Sequence, residues 1–212
     1  MNPEHIPTYA LVGTIAYMIG SVPAALLATA ILKRSDLRNT GSGNLGIQNT
    51  FFRAGKLPAV IALLWNVAAA ASSVLLARAL APNEPVVELI AITAVTTGSM
   101  WQVFVRFRGS RGTTTMGFGL LVAQPAIWAV CLGIWLVALL PRRRTTDATP
   151  TVHALLPAVF GLYALFGQTD LWWIYSIWGA VLGGLLELKR RTSPDDAMAL
   201  GLYRRFGVNV HQ

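Results

Sequence analysis

Long apolar stretches decide what this chain can become. Residues 8–32, 57–80 and 86–104 are nearly unbroken hydrophobic runs. About 20 apolar residues cross a hydrocarbon core of about 30 Å when helical, and in lipid the backbone has to satisfy its own hydrogen bonds. Apolar segments at 152–166 and 171–188 follow. Residues 113–140 are apolar but interrupted by Gly117, Gly119 and Pro125. That stretch is too short for two full spans and too broken for one helix, so it predicts two short helices bent at Gln124-Pro125, tilted or partly re-entrant. The expectation is an all-α, polytopic membrane helix bundle of about seven transmembrane or partly re-entrant helices. It forms one domain over residues 1–188, followed by a basic tail, 189–212, whose weakly amphipathic stretch 195–206 suits a membrane surface. Only 12% of residues are charged, about half the share of a soluble domain.

Charge placement sets the expected topology. The net charge of +8 is not spread over one face, which argues against a nucleic-acid partner. Five Lys and Arg lie in 33–56, three in 106–111, three in 142–144 and five in 189–212; Arg78 is the exception among 17. Basic loops stay cytoplasmic. The N-terminus is therefore expected outside, with the C-terminus and the connections 33–56 and 105–115 on the cytoplasmic face. The first seven residues lack Lys and Arg and lead directly into an apolar run, so no cleavable signal is expected. The single cysteine, Cys131, gives no disulfide framework and no Cys-based metal motif.

Those two connections carry the unusual residues. Gly41-Ser42-Gly43-Asn44-Leu45-Gly46-Ile47-Gln48-Asn49 holds three glycines in six positions and three amide side chains. Such backbone lets N–H groups converge on an anion, and it is costly beside lipid unless it lines a site. For an isolated string of this kind, a flexible turn is the commoner reading. The second connection, Arg106-Phe107-Arg108-Gly109-Ser110-Arg111-Gly112-Thr113-Thr114-Thr115, shifts the balance. Arginine forks suit phosphate oxygens. The N–H groups of Gly109 to Gly112 are expected to point into a site at the start of the next helix, where the dipole also favours an anion. Lipid head-group contact explains the arginines, but not the interleaved glycines and amides. Gly20-Ser21-Val22-Pro23, inside the first apolar run, reads as a packing notch ahead of a loosened backbone near a site.

Little else suits covalent chemistry. Cys131 has no base beside it, and His5 and His211 lie near opposite ends. His153 opens a cytoplasmic-side helix, where packing is the plainer role and lining a site the alternative. No His, Cys, Asp and Glu cluster has metal-ligand spacing. Asp36, Asp147 and Glu187 are the candidate pocket carboxylates, and Asp36 has Arg34 and Arg38 as ready partners. A reaction here is expected to use an activated substrate, without metal or cofactor, the protein holding phosphates and orienting groups.

In chain order, Gly20-Ser21-Val22-Pro23 resembles the GS[IV]P motif of the bacterial acyl-phosphate–glycerol-3-phosphate acyltransferases. Asp36-Leu37-Arg38 with Gly41-Ser42-Gly43-Asn44-Leu45-Gly46 and Asn49 resembles their D-[IL]-R-x-x-GSGN-[IL]-G-x-x-N motif. Val103-Phe104-Val105-Arg106-Phe107-Arg108-Gly109-Ser110-Arg111-Gly112 with Thr115 is similar to their VFLKFKGGKGVAT motif. The resemblance covers most of the chain. It implies an integral enzyme of phospholipid synthesis in the bacterial inner membrane. Its substrates would be acyl phosphate and glycerol 3-phosphate, its products 1-acylglycerol 3-phosphate and phosphate, with the acyl chain lying between helices and emerging into membrane lipid. By motif position, it implies catalytic roles for Ser42, Asn44 and Arg111, with Ser42 on the glycerol-phosphate side. It implies substrate or phosphate binding by Gly41, Gly43, Gly46, Asn49, Arg53, Arg108, Gly109, Ser110, Gly112 and Thr115.

The chain departs from the family pattern at several places. Arg111 replaces a lysine, Ser99 a histidine and Gln102 a proline. Phe52 stands where the family has an arginine; Arg53 comes one residue later, turned by roughly 100° on a helix. The family's H-x-x-N of the last helix is replaced by Lys189-Arg190-Arg191-Thr192-Ser193-Pro194. Two other classes compete with an acyltransferase. Broken helices and a cationic site also suit a transporter or lipid-handling protein for anionic phosphorylated substrates, and a catalytically silent relative would keep the fold. Against transport, no clear internal repeat is visible, and the outer side offers only Asn83, Glu84 and Glu88.

Overall fold

The computed structural model describes residues 6–82, 84–142, 145–167 and 170–193, leaving aside the side chains of residues 142, 145 and 146. These residues form α1 (Ile6–Gly20), α2 (Ala24–Lys33), α3 (Ile47–Ala54), α4 (Lys56–Leu80), α5 (Pro85–Met100), α6 (Thr113–Ala123), α7 (Pro125–Arg142), α8 (Thr145–Phe166) and α9 (Trp172–Thr192). Among them, the stretches Ile6–Lys33, Lys56–Leu80 and Asp147–Phe166 are long and apolar enough to cross a membrane. Large apolar side chains face outward, Phe166 being 85% and Leu140 77% exposed. Such a surface marks a membrane contact. The expected amphipathic stretch 195–206, with His5 and His211, lies outside the described residues.

The first apolar run divides at Ser21-Val22-Pro23 into α1 and α2. A Cβ on Gly20 would run into the Val95 carbonyl, and one on Gly98 into the Tyr17 carbonyl. Glycine at both places lets α1 and α5 touch backbone to backbone. This is the packing notch, and a break in the helix accompanies it.

The stretch 113–140 divides at Gln124-Pro125 into α6 and α7. α6 has 11 residues, about 16 Å of rise. The Arg78 guanidinium covers its C-terminal end, Nη2 donating to the Val122 and Ala123 carbonyls at 3.1 and 3.2 Å. Arg78 also pairs with Glu88 at 2.8 Å. The one basic residue outside the clusters is a helix cap.

Two expectations need correction. The 33–56 connection is not all loop, because Ile47–Ala54 form a helix that buries Asn49 and Thr50 and exposes Phe51 and Phe52. The polar residues ahead of the apolar segment 152–166 are also helical: α8 starts at Thr145 and contains Pro150 and Pro157. Pro157 has no N–H for the carbonyl four residues back, that of His153. α9 approaches that carbonyl closely. A Cβ on Gly183 would overlap it, and one on Gly179 would come within 2.6 Å of the Leu156 carbonyl. Glycines four apart thus seat α9 on α8, over a core holding Leu156, Phe160, Leu182 and Leu186.

Candidate active site

The first glycine-rich turn is pinned from below and braced from within. Leu37 and Leu45, which flank it, are buried with Ala25, Ala62 and Val105. Gly41 and Gly43 take positive φ of 62° and 72°, which costs a side-chain residue strain. The Asn49 carboxamide reaches back from α3. Its Nδ2 donates to the Thr40 and Asn44 carbonyls at 3.1 and 2.9 Å, and its Oδ1 accepts from the Ser42 N–H at 3.4 Å. The Asn44 N–H donates to Ser42 Oγ at 3.2 Å. The Asn44 side chain, 5% exposed, has no partner among the described residues at either Oδ1 or Nδ2. Its amide is a buried donor and acceptor held ready for a ligand. Ahead of the turn, Arg38 grips Asp36 through Nη2 at 2.7 Å and through its own N–H at 2.9 Å. These bonds hold the Asp36 carboxyl below the usual carboxylate range.

The second turn folds back on the end of α5. Ser110 N–H donates to the Ser99 carbonyl at 2.9 Å. Gly109 lies so close to the Ser99 and Met100 carbonyls that a Cβ has no room. Gly112, with φ of 77°, opens α6. The expectation for the four N–H groups of this turn is corrected in part. That of Ser110 is spent on Ser99, and that of Gly112 donates to Ser110 Oγ at 3.2 Å. The first-turn N–H groups of α6, from Thr113 on, are the ones without intrahelical acceptors.

Both turns close on one cavity of about 590 Å³. Asn44, Gly46, Gln48, Phe51 and Phe52 form one wall, Ser110 to Thr114 a second, and Leu63 and Asn66 of α4 a third. Trp135 of α7, Thr149 and His153 of α8, and Leu186 and Arg190 of α9 complete it. A smaller cavity of about 170 Å³ shares Thr113, Trp135, Thr149 and His153 and continues past Met116, Leu120, Trp128 and Cys131. The larger cavity carries Arg111 and Arg190 beside a helix N-terminus, an arrangement that attracts anions. Glu187 stands behind Arg190 and binds it at 2.6 Å.

Of the residues singled out in the sequence, Asn44, Gly46, Ser110, Arg111 and Gly112 share this wall. Gly41, Ser42, Gly43 and Asn49 build the turn behind Asn44. Gly109 is a packing position, and Thr115 is buried in the first turn of α6. Arg53 turns to the outer side, where a Cβ on Gly41 would come within 2.8 Å of its Nε, while Phe52 takes the cavity side. Arg108 is exposed, near Asp36. Sequence reasoning passed over Asn66, Gln48 and Arg190. Asn66 carried a usable signal: it is an amide in the middle of the apolar run 57–80, and polar residues inside membrane segments are functional candidates. His153, read mainly as packing, also lines the cavity.

Residues 10–193 match the family described as glycerol-3-phosphate acyltransferase. A glycerol-3-phosphate acyltransferase of Rubrobacter xylanophilus is 33% identical over 193 residues, 91% of this chain and 92% of that one. One from Neisseria meningitidis is 34% identical over 197 residues, 91% and 94% of the two chains. The fold is similar, with a TM-score of 0.67, to the crystal structure of PlsY (YgiH), an integral membrane glycerol 3-phosphate acyltransferase, in its glycerol 3-phosphate form. That likeness covers 97% of this chain and 96% of the other at 22% identity. Matched across nearly its whole length, the chain belongs to the glycerol-3-phosphate acyltransferase family.

Proposed function

We infer that this membrane enzyme transfers an acyl group from acyl phosphate to a hydroxyl of glycerol 3-phosphate, giving 1-acylglycerol 3-phosphate and phosphate for phospholipid synthesis. The observation that carries this reading is that the family match spans both glycine-rich turns, and these turns wall one cavity. The hydroxyl oxygen attacks the acyl carbonyl carbon, and the phosphate leaves with the electron pair of the broken C–O bond. Charge gathers on the carbonyl oxygen and the departing phosphate. Arg111 and the N-terminus of α6 are fixed before the reaction, so they stabilise that charge without reorganising. The Asn44 amide orients a substrate oxygen, and Ser42 and Asn49 act by holding the Asn44 turn. The smaller cavity, lined by Leu120, Trp128 and Cys131, takes the start of the acyl chain and leads it between helices.

The basic loops favour an N-terminus outside, a cytoplasmic C-terminus, and an active site facing the cytoplasm of the bacterial inner membrane. The match to this family favours acyl transfer over transport or a silent relative. Asn44→Leu tests the site, because it replaces the cavity's unpartnered amide with an apolar group of similar size. We expect membrane insertion and thermal unfolding to persist while acyl transfer falls at least about 100-fold, the scale of losing one charge-stabilising donor. Undiminished transfer would place the reaction elsewhere.

A further inference from the structure

The cavity wall formed by α8 and α9 offers a ligand something the other walls do not. Arg111, Arg190 and the N-terminus of α6 only donate, and the Asn44 amide both donates and accepts. His153 is 5% exposed. Its Nδ1 lies 3.3 Å from Glu187 Oε2, and its Nε2 has no partner among the described residues. Glu187 is itself held by Arg190, at 2.8 Å from Nε and 2.6 Å from Nη2, and by Arg191 Nε at 2.7 Å. A carboxylate gripped by two guanidinium groups stays ionised and only accepts, so the proton between it and His153 sits on Nδ1. Glu187 already answers two arginines, and Arg111 lines the same cavity, so the ring is neutral and its Nε2 keeps a lone pair. Gly183 abuts the His153 backbone carbonyl, and this close seating of α9 on α8 holds the ring in place.

Buried polar atoms rarely lack partners, so this lone pair calls for a donor from the ligand. Ionised phosphate oxygens and an acyl carbonyl only accept, whereas an alcohol hydroxyl donates. Glycerol 3-phosphate carries two hydroxyls, and the reaction treats them differently. The attacking one loses its proton as the ester forms. The other keeps its O–H from substrate to product, so a permanent acceptor suits it throughout.

We propose that His153 Nε2 accepts a hydrogen bond from the hydroxyl of glycerol 3-phosphate that is not acylated, with Glu187 as the positioning residue that fixes the ring's tautomer. The assignment deepens the acyl-transfer reading above and rests on it. His153 takes no proton in this role. It holds one hydroxyl aside, which leaves the other to attack, and it selects diol phosphates over phosphates of simpler alcohols. An acceptor without the second hydroxyl leaves the Nε2 lone pair buried and unmet, the condition under which a hydrogen-bonding site discriminates well.

The compound 3-hydroxypropyl phosphate is glycerol 3-phosphate without its secondary hydroxyl, and it keeps the reacting hydroxyl and the phosphate. The test measures kcat/KM for both acceptors, with palmitoyl phosphate in nanodiscs, for the wild type, His153→Leu, His153→Gln and Glu187→Gln. The wild type is expected to prefer glycerol 3-phosphate by at least about tenfold. His153→Leu is expected to bring that ratio within about threefold of one, whereas a merely structural loss lowers both rates and leaves the ratio alone. His153→Gln keeps an acceptor on a side chain of similar reach and is expected to recover part of the ratio. Glu187→Gln no longer fixes the Nδ1 proton and is expected to shrink it. A wild type that uses the two acceptors within about threefold of each other overturns the assignment without any variant. That is the result if water fills the lone pair or if the ring contacts the reacting hydroxyl. A folded His153→Leu protein that keeps the wild-type ratio overturns it as well, and a wild-type ratio in Glu187→Gln overturns the part given to Glu187. A wild type that transfers acyl groups to neither acceptor overturns the acyl-transfer reading together with this one.

Discussion

Asn49 gives the sharpest prediction about how the first turn is built. The residue is fully buried. It donates to the Thr40 and Asn44 carbonyls at 3.1 and 2.9 Å. Each donated bond contributes about 0.5–1.5 kcal/mol net, and an orphaned buried acceptor costs about 1–3 kcal/mol. The third contact, from Ser42 N–H at 3.4 Å, is long enough to count for little. Asn49→Ala therefore weakens the turn by about 2–4 kcal/mol, its Asn44 carbonyl being left buried without a donor. At about 1.4 kcal/mol per decade, local opening rises roughly 30- to 700-fold. Hydrogen exchange of the peptide spanning 40–50, without substrate, reads this directly. The Gly43 N–H, bonded to the Thr40 carbonyl at 3.1 Å, should exchange faster by that factor, while α5 amides stay protected. Asn49→Asp should do worse than Ala despite its matching shape, since its carboxylate would face two carbonyl oxygens. Unchanged exchange in Asn49→Ala, or an aspartate tolerated like the native amide, would refute the bracing role.

Three further outcomes follow. Ser42→Ala and Arg111→Ala should each lower turnover by about 100-fold or more while the protein still inserts, one by loosening the turn behind Asn44 and the other by removing charge at the leaving group; near-native rates in both would remove this cavity from the chemistry. Gly183→Val should push α9 off the His153 carbonyl and lower the melting temperature by several degrees, the response to about 1–3 kcal/mol of overpacking in a protein of this size; an unshifted melt would deny the close helix contact. Cys131→Ala should keep most activity, since the thiol is buried among apolar neighbours; lost turnover in a folded sample would point to a covalent route.

The parts of the fold that follow from local chemistry were legible in the sequence. Apolar length marked the stretches Ile6–Lys33 and Lys56–Leu80, which are long enough to cross a membrane, Gln124-Pro125 marked the division of α6 from α7, and Gly20 marked a close helix contact. The helix at 47–54 was not legible. Its buried residues include the polar Asn49 and Thr50 beside Ala54, while Phe51 and Phe52 are exposed, which runs against the usual amphipathic signal. Pro150, ahead of the apolar segment 152–166, falls at the sixth position of α8 and removes one intrahelical hydrogen bond without ending the helix. In the site, the motifs located Asn44 and Arg111. Sequence could not separate residues that face the cavity from Asn49, which supports them, because both kinds stand in one string of amides and glycines. The contact between His153 and Glu187 was hidden for a plainer reason: 34 positions separate them, and the Gly179 and Gly183 contacts and the shared core bring their helices together.

The central claim is acyl transfer to glycerol 3-phosphate, and phosphate release from palmitoyl phosphate by the purified protein, with and without that acceptor, tests it most directly. The account predicts release that depends on glycerol 3-phosphate and matches formation of 1-acylglycerol 3-phosphate mole for mole. Release that ignores the acceptor, or a folded protein that releases none, would contradict it.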